Sequence, residues 1–241
     1  MPSLFAPFQV LSFDCYGTLI DWEAGLWAAL QPLLAQRDKA WARGQVLEAY
    51  ARHEHALEAA SPGLAYEAVL ARVHEALAGE LDLATTPALD RAFGASIPHW
   101  PAFADSTRAL AALKERYKLV ILSNVSRAGI DASIGRLGVA FDAVYTAEAI
   151  GSYKPDPANF RYLLEHVQAD FGVAPGGLLH VAQSLFHDHV PARALGLANA
   201  WIDRQGLADG GGFGATTPVE AMPAIDHRFE SLEAFARAAL A

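Results

Sequence analysis

The spacing of hydrophobic residues divides the chain into two kinds of region. Val10, Leu11 and Phe13 form a continuous apolar run that Gly17 ends, as in a parallel strand buried on both faces. Helical spacing follows, and no strand pattern occurs between Leu19 and Ile97. The apolar positions there predict four helices, over residues 22–34, 46–60, 65–81 and 87–93.

The second region, from residue 105 onward, alternates helix and strand patterns. It predicts helices over residues 106–117, 127–137, 159–171, 188–195 and 231–240, and strands over 119–122, 142–146, 178–181 and 198–202. Such alternation is typical of parallel strands joined by right-handed crossovers. We therefore predict an α/β fold, a Rossmann-like doubly wound parallel sheet core with an inserted helical cap domain.

The predicted core comprises residues 1–18 and 100–241, and the predicted cap comprises residues 19–99. A cap placed directly after the first strand would cover any site at the end of that strand. The alternative, that these helices are simply extra helices packed on the sheet, remains open at this point.

Composition narrows the class of protein. The chain has 53% hydrophobic and 19% charged residues and a net charge of −9, which argues against a nucleic-acid or anionic-membrane surface. Cys15 is the only cysteine, so neither a disulfide framework nor a cysteine zinc site is expected. No signal peptide and no membrane-spanning run is recognised. We predict a soluble, cytoplasmic protein that acts on a small molecule and binds no nucleic acid or membrane.

Four polar residues follow predicted strands or lie in the loops that lead to the next helix: Asp14, Ser123, Lys154 and Asp188. Individually they could be a turn-forming aspartate, two helix caps and a surface lysine. In a parallel sheet, however, such loops lie along one edge. A lysine beside a carboxylate lowers its pKa, and an ionised, partly desolvated carboxylate is a competent nucleophile.

Four motifs carry a resemblance to a known family. They read Phe13-Asp14-Cys15-Tyr16-Gly17-Thr18, Leu122-Ser123-Asn124, Tyr153-Lys154-Pro155-Asp156, and Val181-Ala182-Gln183-Ser184-Leu185-Phe186-His187-Asp188. With these motifs and the helical stretch between the first two, the sequence resembles the haloacid dehalogenase superfamily over essentially its whole length.

Two positions indicate the branch. The phosphatase branch has an acid two residues after the nucleophile, where this chain has Tyr16, and usually an acid where it has Gln183. The first motif instead resembles that of the L-2-haloacid dehalogenases, which use no metal and no acid for the leaving halide. The resemblance implies cleavage of the carbon–halogen bond of a small 2-haloacid through an aspartyl ester. A phosphatase acting on a small phosphate ester and a non-catalytic binding module are the alternatives.

The resemblance also implies roles for individual residues. Asp14, Lys154, Asp188, Ser123 and Thr18 would be catalytic, with no cofactor and no metal. Substrate binding would involve the backbone amides of Cys15 and Tyr16, together with Asn124, Ser184 and Arg52. The sequence leaves open whether the protein forms a homodimer.

Three departures from the dehalogenase pattern accompany this interpretation. The cap arginine of that family falls near His55 or Ala56, and Arg52, one turn away, is a candidate substitute. Phe160 stands where the family has a tyrosine, and the fourth motif is one residue longer. Either the substrate differs from simple chloroacids, or other side chains form the leaving-group pocket.

Three further patterns are not expected to be sites. The triplets His53-Glu54-His55 and His187-Asp188-His189 suggest metal ligands, but residues two apart on a helix point to nearly opposite sides. The glycine-rich stretch 210–214 has no following Lys-Ser/Thr and is not a P-loop.

Overall fold

A computed structural model describes residues 4–241, and its centre is a six-stranded parallel sheet. The strand order is β3-β2-β1-β4-β5-β6, so the chain begins in the middle and extends first to one side and then to the other. The strands are β1 Val10–Phe13, β2 Lys118–Ser123, β3 Ala143–Thr146, β4 Leu178–Ala182, β5 Ala198–Ile202 and β6 His227–Phe229. The predicted α/β class and parallel sheet are confirmed.

Helices cover both faces of the sheet. They are α1 Trp22–Leu34, α2 Arg43–Ala60, α3 Tyr66–Glu80, α4 Pro87–Gly94, α5 Ser106–Lys114, α6 Arg127–Leu137, α7 Ala147–Ile150, α8 Pro157–Phe171, α9 Val190–Ala194 and α10 Leu232–Leu240. Neighbouring residues of β1 face opposite sides, since Leu11 and Phe13 belong to one buried cluster and Val10 to another. Helices α5 and α10 contribute to the first cluster, and α8 and α9 to the second.

Local sequence explains where several helices begin. Asp21 caps α1 by accepting a hydrogen bond from the Ala24 amide at 3.1 Å, and Thr86 caps α4 by accepting one from the Leu89 amide at 3.3 Å. Gly138 ends α6 in the left-handed conformation, with φ +68°. These signals are local, which is why most predicted boundaries lie within a few residues of the observed ones.

Helices α1–α4, hereafter the helical region, lie between β1 and β2 in the chain and pack on one another. The two segments that join this region to the sheet run side by side. Ile20 forms an antiparallel bridge with Ala102, the Asp21 amide donates to Pro101 O at 2.8 Å, and the Phe103 amide donates to Leu19 O at 3.1 Å. The division into core and cap at residues 18 and 100 stays a prediction, and its residues 1–3 lie outside the described part of the chain.

Three elements differ from the sequence-based expectations. The edge strand β6 was not predicted, because it has three residues, all partly or fully exposed. The short helix α7 was also missed. The helix predicted over 188–195 is a π-helical turn, Leu185–His189, followed by α9, and it places Asp188 inside the turn. Among residues 4–241, no helix combines the length and the hydropathy needed to cross a membrane.

Candidate active site

The carboxyl ends of the central strands meet at one edge of the sheet and carry the polar residues of the motifs. Phe13 of β1 is in register with Ile121 of β2 and with Val181 of β4. Asp14 and Gln183 directly follow β1 and β4, and Ser123 ends β2. The parallel register therefore brings residues that are more than 100 positions apart in the chain to neighbouring places.

Lys154 lies at the centre of this group. Its Nζ donates to Asp14 Oδ1 at 2.9 Å, to Asp188 Oδ1 at 2.7 Å and to the backbone carbonyl of Leu122 at 3.1 Å. The side chains of all three charged residues are at least nine-tenths buried. All three ammonium protons are used, so the cation is held in one position between the two carboxylates.

The two carboxylates titrate differently. Burial raises the pKa of Asp14 above its ordinary value, although Lys154 and Thr18 oppose the shift. Lys154 and a hydrogen bond from His180 overcome burial at Asp188 and hold its pKa well below the usual range. The two aspartates raise the pKa of Lys154. Lys154 does lower the pKa of Asp14, as expected, but desolvation outweighs this attraction and the net shift is upward.

Further hydrogen bonds fix these side chains. Thr18 Oγ1 donates to Asp14 Oδ2 at 2.7 Å and accepts from the Gln183 amide at 2.9 Å, which holds the Asp14 carboxylate in one orientation. On the other side, His180 Nε2 lies 2.9 Å from Asp188 Oδ1, and its Nδ1 lies 2.9 Å from Ser12 Oγ. His180 and Ser12 lie on buried strands, where a sequence pattern does not distinguish them from core residues.

Asn124 positions Lys154 through the backbone. Its Oδ1 accepts from the Lys154 amide at 2.6 Å, and its Nδ2 donates to the Lys154 carbonyl at 2.9 Å. The structure thus brings Asn124 to the site, as a residue that joins the loop after β2 to the loop carrying Lys154.

Three polar atoms at the site are buried without a hydrogen-bond partner in the described chain: Ser123 Oγ, Asp188 Oδ2 and His187 Nε2. All three residues line one open cavity beside Asp14. Because buried polar groups normally have partners, these atoms mark where a substrate or a water molecule would bind.

The helical region forms the other wall of this cavity. It contributes Trp22 from α1, Glu54 and Glu58 from α2, and Tyr66 from α3. Glu54 and Glu58 are only 7% and 6% exposed. Burial raises the pKa of Glu54 to about 7, and burial together with the charge of Glu54 raises that of Glu58 well above its ordinary value.

Sequence reasoning missed these two glutamates. The available signal was their spacing, since Tyr50, Glu54 and Glu58 recur every four residues and so share one face of α2. In the triplet His53-Glu54-His55, it is the central glutamate that faces the cavity. His53 lies 2.8 Å from Glu80, and His55 contacts the ring of Phe186.

The remaining predicted residues have different positions. Tyr16 and Ser184 line the cavity, and Tyr16 Oη lies 2.9 Å from Ser133 Oγ. The side chain of Cys15 is in the core, so its predicted role rests on its backbone amide and stays a prediction. Arg52 is not part of the site: its side chain is 61% exposed and donates to Glu80 at 2.7 Å, because it points away from the buried face of α2. Its assignment to substrate binding is corrected accordingly.

The oxygen atoms available as ligands at the site do not fit a divalent metal ion. Magnesium requires about six oxygen ligands in octahedral geometry. Both oxygens of Asp14 and one of Asp188 already accept hydrogen bonds, and Gln183 replaces an acid. In the range 4–241, no group of three or more His, Cys, Asp or Glu residues is arranged to hold a metal.

Comparison with known proteins identifies the family. Residues 8–177 match the model of the haloacid dehalogenase-like hydrolases. The chain belongs to this family. As a haloacid dehalogenase-like hydrolase it is an enzyme, in agreement with the sequence-based prediction. A mouse relative, haloacid dehalogenase-like hydrolase domain-containing protein 3, is 29% identical over 163 residues, which are 65% of this chain and 63% of the mouse protein. The match thus spans less than two thirds of that relative.

Solved structures of the family share the fold of this hydrolase. An L-2-haloacid dehalogenase from Xanthobacter autotrophicus with chloropropionic acid covalently bound has a TM-score of 0.75 at 20% identity, over 95% of this chain and 97% of that one. A putative HAD-hydrolase from Bacillus subtilis bound to magnesium has a TM-score of 0.76 at 17% identity, over 97% and 99%. At these identities the likeness concerns the fold alone.

Proposed function

We propose that this hydrolase cleaves the carbon–halogen bond of a small 2-haloacid, with Asp14 as the nucleophile and without a metal ion. The observation that carries the proposal is the position of Lys154 Nζ, within 2.9 Å of Asp14 and 2.7 Å of Asp188. The ammonium occupies the place between the two carboxylates and supplies the positive charge that a metal would otherwise provide.

In the first step, an Asp14 carboxylate oxygen attacks C2 of the substrate. The C–halogen bond breaks, the halide leaves with the electron pair, and an aspartyl ester forms. Thr18 fixes the orientation of the carboxylate. The hydroxyl of Ser123, buried and without a partner in the described residues, would donate to the substrate carboxylate, together with the amides of Cys15 and Tyr16.

In the second step, water attacks the ester carbonyl carbon of Asp14. The unpartnered Oδ2 of Asp188 lies in the cavity and is ionised because Lys154 and His180 hold the pKa of this residue low. It can therefore orient the water by accepting a hydrogen bond from it. The 2-hydroxy acid leaves with one proton of the water, the other proton is released to solvent, and Asp14 regains a carboxylate that now contains an oxygen from water.

The environment of Tyr16 supports halide as the leaving group. A phosphatase uses an acid at this position to protonate its leaving group. Burial raises the pKa of Tyr16 well above its usual value, and its hydroxyl is engaged with Ser133. Tyr16 is thus a poor acid, whereas a departing chloride or bromide needs no proton.

Single-turnover hydrolysis in oxygen-18 water tests the ester. The label should enter Asp14 before it appears in product, as measured by mass spectrometry of the Asp14 peptide. Label that appears only in product would refute the covalent intermediate. Asp14→Asn should abolish turnover while the circular dichroism spectrum stays unchanged.

A substrate panel separates the alternatives. It contains 2-haloacids and phosphate esters, each assayed with and without EDTA. Halide release that resists EDTA supports the proposal. Phosphate release that EDTA abolishes would establish the phosphatase alternative, and silence on both sets would favour a non-catalytic binding module.

A further inference from the structure

The helical wall of the cavity presents an unusual charge arrangement to an anionic substrate. Of the described residues that line it, Lys154 is the only lysine or arginine, and it is already bonded to Asp14 and Asp188. Glu54 and Glu58 lie opposite, buried and one helical turn apart. Two ionised glutamates would repel both the carboxylate of a 2-haloacid and a departing halide, so the pair must hold a proton when such a substrate reacts.

The hydrogen bonds around the pair decide which residue holds that proton. Glu54 Oε1 accepts two hydrogen bonds, from Tyr50 Oη and from Tyr66 Oη, both at 2.7 Å. Two phenol donors on one oxygen stabilise a carboxylate there. The negative charge of the pair therefore resides on Glu54, and the proton resides on Glu58.

The surroundings of the pair agree with this assignment. The pKa of Glu54 is about 7, and burial and the charge of Glu54 raise the pKa of Glu58 well above its ordinary value, against the attraction of Lys154 and a hydrogen bond with Asn124. Ser123, whose Oγ is buried and has no partner within residues 4–241, faces the same cavity. The cavity thus offers one donor from the sheet and one from the helical region, with the nucleophile also in its wall.

We propose that Glu58, kept protonated beside the Glu54 carboxylate, is a catalytic residue that donates its proton in a hydrogen bond to the departing halide. The proposal rests on the function assigned above to Asp14. It gives the leaving-group role to an uncharged acid and accounts for the distance of Arg52 from the site.

Protons and electrons balance both for chloride or bromide, which are very weak bases, and for the more basic fluoride. When chloride or bromide leaves, it takes the electron pair of the C–halogen bond and accepts a hydrogen bond, and the proton remains on Glu58. When fluoride leaves, the more basic ion takes the proton and departs as hydrogen fluoride. Glu58 is then a carboxylate, which regains a proton from solvent before the next cycle.

Other titratable groups face the pair. They are Tyr50 and Tyr66 in the helical region, and Tyr16, Tyr153, Lys154, His187, Asp14 and Asp188 at the sheet edge. The two aspartates are bonded to Lys154. Burial raises the pKa of each tyrosine, and the aspartates raise that of Lys154, so these groups keep their protons near neutral pH. Burial lowers the pKa of His187 to about 4, so it stays neutral. His55, on the same helix, is the remaining group that an experiment must separate from Glu58.

The experiment compares Glu58→Gln and Glu58→Ala with two controls. Glu48→Gln makes the same exchange at an exposed position of α2, and His55→Gln removes the neighbouring imidazole. The pH dependence of kcat is measured with 2-chloropropanoate and 2-fluoropropanoate. Infrared spectra of each variant at neutral pH record the C=O stretch of buried protonated carboxyls.

In the wild type and both controls, kcat for chloride release should fall as the pH rises, since Glu58 then loses its proton. Glu58→Gln should remove this alkaline fall, because an amide N–H does not titrate, and should remove an infrared band that Glu48→Gln retains. Glu58→Ala should lower chloride release about 10- to 100-fold, the usual effect of one hydrogen bond to a charged group. It should lower fluoride release by a larger factor.

Two failures are distinguishable. If Glu58→Gln keeps the alkaline fall while Asp14→Asn is inactive, the donor role of Glu58 is wrong and the function assigned to Asp14 stands. If the wild type releases no halide from either acid, the proposed function fails and the role of Glu58 fails with it, even if the infrared band confirms the proton.

Discussion

The two walls of the cavity handle buried charge in opposite ways. On the sheet side, Asp14, Lys154 and Asp188 form a chain of opposite charges in direct contact, extended by His180. On the helical side, Glu54 and Glu58 are equally buried but have only neutral hydrogen-bond donors, the hydroxyls of Tyr50 and Tyr66 at Glu54 and the amide of Asn124 at Glu58. The sheet side keeps its charges by pairing them, and the helical side reduces its charge by keeping a proton.

This difference separates the roles of the two walls. The ion pairs hold the pKa of Lys154 above and that of Asp188 below its ordinary value, so these two charges stay fixed, which suits a cation that supports the proposed nucleophile Asp14. Two neighbouring carboxyl groups without a bonded cation titrate within the pH range in which an enzyme works, which suits a group that must give or hold a proton. The contrast also predicts that a loss of activity at alkaline pH comes from the helical side.

Lys154→Met should have the largest effect, because it removes the cation from the sheet side. The two aspartates would then be neighbouring buried carboxylates, as Glu54 and Glu58 are, but without a shared proton. Asp14 and Asp188 would be left as buried carboxylates without a cation. Removing one partner of a buried ion pair costs about 3–5 kcal/mol. We expect a loss of that order in the free energy of unfolding, measured by urea denaturation, together with loss of activity.

Lys118→Met is the matched control for this change. Lys118 bonds to Asp142 at 3.2 Å, but its side chain is 58% exposed. The loss should be about 1 kcal/mol or less. Equal losses for the two variants would show that the position of Lys154 between the aspartates is not what matters for stability.

Tyr66→Phe should have an intermediate effect, on the helical side alone. It removes one of the two hydroxyls that stabilise the Glu54 carboxylate, so the pKa of Glu54 should rise above about 7. The free energy of unfolding should fall by about 1 kcal/mol. Infrared titration of the carboxyl band, compared with that of Glu54→Gln, measures the shift.

Tyr145→Phe serves as the control for Tyr66→Phe. Its hydroxyl donates to Asp170 at 3.0 Å, away from the cavity. This variant should lose similar stability and leave the titration of the buried carboxyls unchanged. A shift of the carboxyl band in Tyr145→Phe would contradict the assignment of that band to the cavity.

Arg52→Ala should have the smallest effect, because Arg52 lies on α2 but outside the cavity wall. The side chain pairs with Glu80 on the exposed surface, and such pairs contribute about 0.2–1 kcal/mol. We expect kcat and KM for a 2-haloacid to be unchanged. A large rise in KM would return Arg52 to the substrate-binding residues.

The sequence predicted the sheet side well because its signals are local. Buried strands read as continuous apolar runs, and the polar residue that follows each run is placed at the edge by the parallel pairing alone. Asp14 and Ser123 are placed in this way, whereas Lys154 comes eight residues after β3, beyond α7. His180 was missed because it lies within a buried strand, where only the distant contacts with Ser12 and Asp188 distinguish it.

The helical side was harder to predict because its polar residues lie on helices rather than at strand ends. A glutamate on a helix is normally exposed, and only the packing of α2 over the sheet edge buries Glu54 and Glu58. Arg52 was assigned to the site from its approximate distance in sequence, but it lies two residues before Glu54 and so points away from the cavity. Helix periodicity shows which residues of α2 share a face, but only tertiary packing decides which face borders the cavity.

The bridge between Ile20 and Ala102 has a consequence for engineering. Because the segments entering and leaving the helical region are hydrogen-bonded side by side, the two ends of that region are adjacent. The order of strands in the sheet therefore does not depend on what connects β1 to β2. A different insert with equally close ends could be grafted at this junction, so Asp14 and Lys154 could be combined with a new cavity wall.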